Sequence, residues 1–283
     1  PTQQGTAQGG TCSPTIMNMT LNGMQEYIEL RTRQDKIKKK SRMYITRYCD
    51  DFTVVTNTKE YAEKAKEYIQ EFLKIRGLKL SDSKTKIRHI DEGFEFLGMT
   101  LRKFADKLII KPSKNSVKRV LKKIRERIDK SKSISQEALI GQLNPIIKGW
   151  SKYYSTVCSK RIFQNIDCKI WQRIWKWALR RHPNKGKKWI KNKYFHTEQG
   201  RKWRFASTKK VDGKKVIKNK LVLASDTKIK RHVMIKDQAN PYLPEWEEYF
   251  NQRILKKWEV KKNDYLNKVI KRQKGLCTEC NSI

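Results

Sequence analysis

Asp50 and Asp51 stand side by side in a chain that carries 66 Lys plus Arg against 28 Asp plus Glu. Adjacent carboxylates disfavour each other's charge unless a cation or a basic group lies close. The stretches around them, Met43 to Tyr48 and Phe52 to Thr56, are rich in β-branched and aromatic residues and read as strand, turn, strand. At such a tip both carboxylates reach one hard metal ion through oxygen ligands. Nucleotidyl transfer uses this chemistry: two Mg²⁺ ions, ~3.5–4 Å apart, activate the attacking oxygen and stabilise the leaving one. A metal-free, Asp-rich turn is the ordinary alternative. A second pair, Cys277 and Cys280, has the Cys-x-x-Cys spacing that supplies half of a tetrahedral zinc site. A redox pair or two free thiols fit the same spacing. Cys12, Cys49, Cys158 and Cys168 form no dense disulfide framework, which fits a reducing interior compartment.

The elements around the acidic pair follow from periodicity. Residues 1–14 are rich in Gly, Gln, Thr and Ser and read as a loop, Ile16 to Leu30 as a helix, and residues 33–42 as a basic linker. After the hairpin, Asn57 with Glu60 suggests a helix start. Tyr61, Ala65, Tyr68, Ile69, Phe72 and Leu73 recur at helical spacing, and Gly77 stands at the C-cap. Short strands are expected at Lys86 to Ile90, Phe94 to Arg102 and Lys107 to Lys111. Residues 43–111 therefore read as a β-α-β-β sheet with a helix across one face.

From Pro112 the pattern turns helical. Val117, Val120, Leu121, Ile124 and Ile128 make one stripe. Further helices are expected over Ser135 to Leu143, from Pro145 through Tyr154, and around Trp171 to Ala178. Trp150, Trp171 and Trp175 are expected in the core. Residues 183–220 read as basic loops and short strands, and a last helix as Glu245 to about Arg272. The fold class is thus α+β, a small mixed unit followed by a helical one.

The formal charge is +38 and the isoelectric point about 10.1, a field that draws polyanions. Nucleic acid leads, because each neutralised phosphate releases condensed counterions. An anionic membrane surface is the rival, although no apolar run approaches the ~18 residues a spanning helix needs, and the polar start, Pro1 to Gly10, carries no signal peptide. Eight Trp and eleven Tyr argue against a disordered basic tail.

Several blocks carry a family resemblance. Tyr48-Cys49-Asp50-Asp51 resembles the Tyr-x-Asp-Asp signature of reverse transcriptases, with Cys49 in the place of a small residue that is usually Ala. Gln8-Gly9-Gly10-Thr11-Cys12-Ser13-Pro14 resembles the Pro-Gln-Gly-x-x-x-Ser-Pro block, with Ala7 replacing the first Pro. Gly77-Leu78-Lys79-Leu80-Ser81 with Lys84-Thr85, and Phe94-Glu95-Phe96-Leu97-Gly98, resemble the two blocks that follow the hairpin. Leu143 to Trp150, Ser151 to Tyr154, Trp171 to Pro183 and Lys187 to Phe195 resemble the maturase, or thumb, region of group II intron-encoded reverse transcriptases. Arg272-Gln273-Lys274 with Cys277 and Cys280 resembles the start of their HNH endonuclease.

This resemblance implies a partial palm over 1–111, a thumb/maturase domain over 112–195, a basic DNA-binding region over 196–260 and a truncated zinc knuckle over 261–283. Asp50 and Asp51 would hold Mg²⁺ and be catalytic, while Gln8, Gly9, Gly10, Tyr48 and Lys84 would border the nucleotide. Lys148, Lys152, Arg180, Arg181, Lys187 and Lys188 would contact RNA. Cys277 and Cys280 would give half a Zn²⁺ site. The implied partners are intron RNA, target DNA and deoxynucleoside triphosphates, with a second copy of the chain in a homodimer, or a separate N-terminal chain that completes the palm. The implied setting is bacterial cytoplasm or an organellar matrix or stroma, not secretion. An RNA-binding maturase without polymerase activity, or a retron- or CRISPR-associated reverse transcriptase, stays open beside it. The family's further metal-binding Asp precedes the Gln-Gly-Gly block, which here begins within ten residues of Pro1. The purified 283 residues are therefore expected not to extend a primer; robust cDNA synthesis in a primer-extension assay overturns that expectation.

Overall fold

The computed structural model describes residues 10–35, 43–198, 200–211, 214–236, 239–259, 268–269 and 272–273. The chain divides into two compact units, residues 1–231 and 232–283.

The first unit opens with α1 (Ser13–Leu21) and α2 (Met24–Gln34). One helix was expected across this stretch. Asn22 is extended and Gly23 is left-handed, with φ +80°, so the helix breaks there. β1 (Tyr44–Tyr48) and β2 (Asp51–Val55) form an antiparallel hairpin. α3 (Lys59–Lys74) follows, its N-terminus capped by the Thr58 hydroxyl, which accepts from the Tyr61 N–H. It ends at left-handed Gly77, as its spacing predicts, and the Leu78 N–H returns to the Leu73 carbonyl at 2.9 Å. Met24 and Ile28 of α2 pack with Ala65, Tyr68, Ile69, Phe72 and Leu73 of α3, and Ile45, Phe52 and Val54 of the hairpin rest on that core. The outer hairpin face stays open: Tyr44, Tyr48 and Val55 are 62%, 63% and 56% exposed.

β3 (Phe94–Phe96), β4 (Met99–Phe104) and β5 (Lys107–Pro112) form a separate antiparallel sheet. The order over 43–112 is therefore β-β-α-β-β-β in two sheets, not one β-α-β-β sheet. Lys86 to Ile90 is irregular rather than a strand. Among the described residues it joins no ladder, although the Lys103 N–H of β4 donates to the Ile90 carbonyl at 3.1 Å.

The helical layer comprises α4 (Lys114–Lys130), α5 (Gln136–Tyr153), α6 (Lys160–Arg181) and α7 (Lys187–Tyr194). α5 runs through Pro145 instead of restarting there. A proline forfeits the bond to the carbonyl four residues back. That carbonyl belongs to Gly141, and both residues are exposed, so water can satisfy it. Ile124, Ile128, Leu139, Leu143, Ile147, Phe163, Ile166, Ile174 and Trp177 build the core, with Trp150, Trp171 and Trp175 packed against it.

The third sheet, β6 (Phe195–Glu198), β7 (Arg201–Val211) and β8 (Lys214–Lys220), adds Phe195 and Phe205 to the same core. Packing thus continues across 195/196. Two polar clamps hold the return segment. Asn144 donates from Nδ2 to the Lys220 carbonyl at 3.0 Å and accepts the Val222 N–H at 2.8 Å. The half-buried Asp167 carboxylate accepts the N–H groups of Ala224 and Ser225 at 2.8 and 2.9 Å. Burial pushes Asp167 above the usual carboxylate range, against those hydrogen bonds.

The second unit holds a short 3-10 turn, Pro244–Trp246, and α8 (Glu247–Glu259). Arg253 donates to the carbonyls of Val233 and Met234, both at 2.8 Å, and pins that strand-like segment to α8. No helix among the described residues is long and apolar enough to cross a membrane.

The third sheet depends on ion pairs. Lys220 meets Glu198 at 2.7 Å, and Arg204, with a side chain only 9% exposed, reaches both Glu198 and Asp226. The hydrogen bond from Lys220 holds Glu198 below its ordinary value of 4.5. For Asp226 burial works upward, but bonds from Arg204 and Arg201 overcome it and hold the carboxyl below 3.8. Carboxylates depressed in the folded state stabilise it above their unfolded values and lose that contribution as the pH falls through the folded ones. Asp167, raised by burial, runs the other way. The gap in melting temperature between wild type and an E198Q/D226N double variant should be largest near neutral pH. It should narrow as the pH falls below the ordinary carboxylate values of 4.5 and 3.8 and through the lower folded ones; a gap that persists unchanged into acid, measured by thermal melts across pH, excludes this linkage.

Candidate metal hairpin and nucleic-acid interface

The register pairs Tyr48 with Asp51, so Cys49 and Asp50 form a two-residue turn. So tight a turn forces a left-handed residue, and Cys49 takes it at φ +54°. Arg47 fixes the turn from the inner face: one guanidinium nitrogen donates to Asn18 Oδ1 on α1 at 2.9 Å and to the Cys49 carbonyl at 3.1 Å. The helix behind the Gly-rich block is thereby tied to the acidic tip. Asp50 and Asp51 are both exposed, and neither has an ion pair or hydrogen bond from another side chain among the described residues. Two free carboxylates are a hard-oxygen donor set that suits Mg²⁺. The fit is partial, since no group of three or more His, Cys, Asp or Glu side chains that could hold a metal occurs among the described residues.

Of the residues expected near the nucleotide, Tyr48 shares the exposed hairpin face with Asp51. Gly10 lies just before α1, its carbonyl accepting the Ser13 N–H. Lys84 sits on the exposed turn after Ser81, and no hydrogen bond or ion pair among the described residues joins it to either aspartate. Gln8, Gly9, Cys277 and Cys280 lie outside the described residues.

The second hairpin tip, Leu97-Gly98, has both residues left-handed, at φ +49° and +72°, the pattern of a I′ turn. The end of α5 grips it. Tyr153 donates to the Leu97 carbonyl and Tyr154 to the Gly98 carbonyl, each at 3.0 Å. Tyr154 is 4% exposed, and its hydroxyl also lies 2.6 Å from Ser116 Oγ, which accepts Trp150 Nε1–H at 3.2 Å. Burial pushes the Tyr153 phenol up, and the neighbouring phenols of Tyr154 and Tyr48 add to that rise.

Among the expected RNA contacts, Lys148 and Lys152 lie exposed one turn apart on α5. Arg180 is exposed at the end of α6, and Lys187 and Lys188 at the start of α7. Arg181 is occupied otherwise: it donates to the carbonyls of Lys132 and Ile134 and lies over the Trp177 ring. It binds the loop before α5 and is not a free cation.

The residues not singled out from sequence are on α4. Lys114, Lys118, Arg119, Lys122, Lys123, Arg125, Arg127 and Lys130 are all exposed, and among the described residues only Lys122 of these has an ion-pair partner, Glu126 at 3.9 Å. The signal was present: Ser116, Val120, Ile124 and Ile128 claim one face at four-residue spacing, which leaves the cations a continuous outer surface.

The joint at Gly98 yields a prediction. A Cβ added there would meet Tyr154 Oη at 2.7 Å, on a backbone at φ +72°. G98A should cost about 1–3 kcal/mol through strain and clash, and Y154F about 1–2 kcal/mol through the lost buried hydroxyl. Because Y154F also removes the clashing atom, the double variant should cost less than the sum. Urea denaturation checks the cycle; strict additivity would show that the two groups do not meet.

Compared with known proteins, residues 1–101 match the family model described as reverse transcriptase (RNA-dependent DNA polymerase). Residues 117–195 match that of the group II intron maturase-specific domain. The chain is also similar to Protein YkfC of Escherichia coli (strain K12), at 31% identity over 123 residues that cover 35% of this chain and 32% of that protein, so the match spans about a third of this relative's length.

Proposed function

We infer that this chain is a member of the group II intron reverse transcriptase/maturase family, because the two domain matches occur on one chain in that order. We propose that residues 114–195 bind structured intron RNA through the outer face of α4, joined by Lys148, Lys152, Arg180, Lys187 and Lys188. The carrying observation is the row of eight exposed cations on α4, nearly all without an acidic partner among the described residues. Free cations pay off a polyanion's counterion release without first breaking a protein ion pair. RNA is favoured because the matched segment is described by its intron class.

The acidic hairpin supports nucleotidyl-transfer chemistry in this family, with Asp50 and Asp51 as Mg²⁺ ligands and Tyr48 beside the nucleotide. Mg²⁺ would supply charge neutralisation at the transferring phosphate and activation of the attacking hydroxyl. The residues themselves present two carboxylates on a turn held by Arg47. Turnover needs a further carboxylate ligand, so RNA binding is the activity proposed for these residues by themselves. The reading of Cys277 and Cys280 as half of a Zn²⁺ knuckle at the start of an HNH endonuclease rests on their spacing, and target DNA as a partner rests on the family.

The test is a salt titration. The full chain should bind a structured RNA with affinity that falls steeply as salt rises. K118A/K122A/R125A should lower the magnitude of the log K against log salt slope by roughly two to three. R181A should instead lower the melting temperature and leave the slope of the folded fraction unchanged. An α4 triple variant with an unaltered slope would remove α4 from the interface.

A further inference from the structure

We propose that the cavity between α6 and the third sheet is a binding site for one unstacked nucleobase that presents carbonyl acceptors, guanine or uracil. The proposal goes beyond the RNA reading, because none of the lining residues lies on α4 and the site takes a base rather than a backbone phosphate.

The cavity forms where one helix face meets a bulged strand. Ile170, Trp171 and Ile174 recur on one face of α6, and Trp203 and Phe205 of β7 with Leu221 of the return segment close the other side. Its volume is about 270 Å³. That is just below the ~300 Å³ at which pockets for drug-sized ligands begin, so it suits one ring system and not a stacked pair. The charged groups of the wall are already engaged. Asp167 accepts the N–H groups of Ala224 and Ser225, and Arg204 pairs with Glu198 and Asp226. A flat, neutral ring fits such an aromatic lining.

Two observations mark this cavity as a ligand site. The first is a pair of donors. Trp171 Nε1 and Arg204 Nη1 are buried and have no hydrogen-bond partner among the described residues. The Arg204 side chain is only 9% exposed, and buried donors are normally paired. Neither nitrogen reaches solvent, so its acceptor must arrive with a group that enters the cavity and displaces the side chains that cover it. N–H donors select ring carbonyls, such as guanine O6 or uracil O4. Adenine and cytosine carry an amine at the corresponding position and would set donor against donor.

The second is Trp203. His196 pairs with Arg204 and Glu198 with Arg201, so Thr197 alone faces Lys202 and Trp203. A bulge of this kind re-aims a side chain. Trp203 takes a left-handed backbone there, at φ +68°, where glycine sits freely and a bulky residue is an outlier. Such strain concentrates at ligand clamps. The indole stands edge-on to Trp171 and Trp175, with ring centroids 5.8 and 5.5 Å away, and stays 37% exposed. Trp203 is thus the part of the aromatic wall that a base reaches from solvent. Beside it Lys202 is exposed and makes no ion pair among the described residues, which offers a cation to the phosphate that a base carries.

The base comes with a free mononucleotide or from a strand held on the basic faces, and two arms separate these sources. In the first, calorimetry on the full chain compares the 5′-monophosphates of guanosine, uridine, adenosine and cytidine, with ribose 5-phosphate as the baseless control. In the second, an RNA hairpin with one unpaired guanosine is compared with the same hairpin carrying adenosine or an abasic residue there. A free-nucleotide site binds in the first arm and gives equal hairpin affinities; a strand-fed site binds the guanosine hairpin about 5-fold or more tighter than the other two. In the arm that responds, W203G should weaken binding about 10-fold or more and keep a cooperative melt, since glycine suits that backbone. W203F should retain most of the affinity, and L223W, which fills the cavity from its other side, should abolish it. K202A should lower the magnitude of the salt slope by about one for guanosine monophosphate or the hairpin. Affinity that does not depend on the base, carbonyl bases no tighter than amino ones, or a W203G or L223W chain that binds as the wild type does each overturn the proposal. K118A/K122A/R125A should leave the dependence on the base intact, so the α4 reading and this site fail separately.

Discussion

Two phenols at the end of α5 hold a hairpin turn that they do not otherwise resemble in sequence or class. Tyr153 and Tyr154 donate to successive carbonyls of Leu97 and Gly98. The Tyr154 hydroxyl is also shared with Ser116 at the start of α4, and Trp150 donates to that same Ser116 oxygen. Three elements, the β3–β4 turn, the first turn of α4 and the last turn of α5, thus meet at one buried hydroxyl. A buried hydroxyl left unpaired costs about 1–3 kcal/mol, so each element holds the others in place. Gly98 completes the arrangement, because any side chain there would occupy the hydroxyl's position. The Ser113 N–H also bonds to the Gly98 carbonyl at 2.9 Å, which ties the sheet to the N-cap residue of α4. The cationic face of α4 is oriented relative to the β-sheet by this joint.

A chain of charge +38 must also fold against its own repulsion. It does so by placing carboxylates where basic segments have to pack. Glu198 and Asp226 surround Arg204, Glu137 meets Lys218, and Glu71 meets Arg31 between α2 and α3. Exposed pairs contribute little, but Arg204 is nearly buried, and a buried cation without its partners is strongly destabilising. Among the described residues the outer face of α4 carries almost no such partners, Lys122 with Glu126 being the exception.

How much of this was legible in sequence depended on whether the signal was local. The α3 stripe and its glycine cap were legible because helical spacing and left-handed φ are local properties. The acidic turn was legible because only a tight hairpin sets two aspartates between such strands. Pro145 misled, since the rule that it starts a helix ignores whether the displaced carbonyl can reach water. The split into two sheets was invisible, as strand partners are chosen by tertiary packing. Arg181 read as an RNA contact because a basic residue at a helix end gives no hint that two loop carbonyls wait for it. Asn144 lay within a recognised block, yet its clamp on Lys220 and Val222 spans 76 and 78 residues, beyond any periodicity.

The two halves of the proposed chemistry are linked by electrostatics. Asp50 and Asp51 carry no ion-pair partner among the described residues, and they lie in the field of a strongly cationic chain. A divalent cation approaching them meets repulsion from every lysine and arginine within the ~8 Å over which charge is felt at physiological salt. Arg47, bonded to the Cys49 carbonyl, lies at the same turn. A polyanion seated on the basic faces reverses the sign of that field and brings its own phosphate oxygens as further ligands for the ion. If the hairpin holds Mg²⁺ as proposed, nucleic acid and the ion would each favour the other's binding. Beside the carboxylates the open hairpin face bears Tyr44, Tyr48 and Val55, an exposed and largely apolar surface.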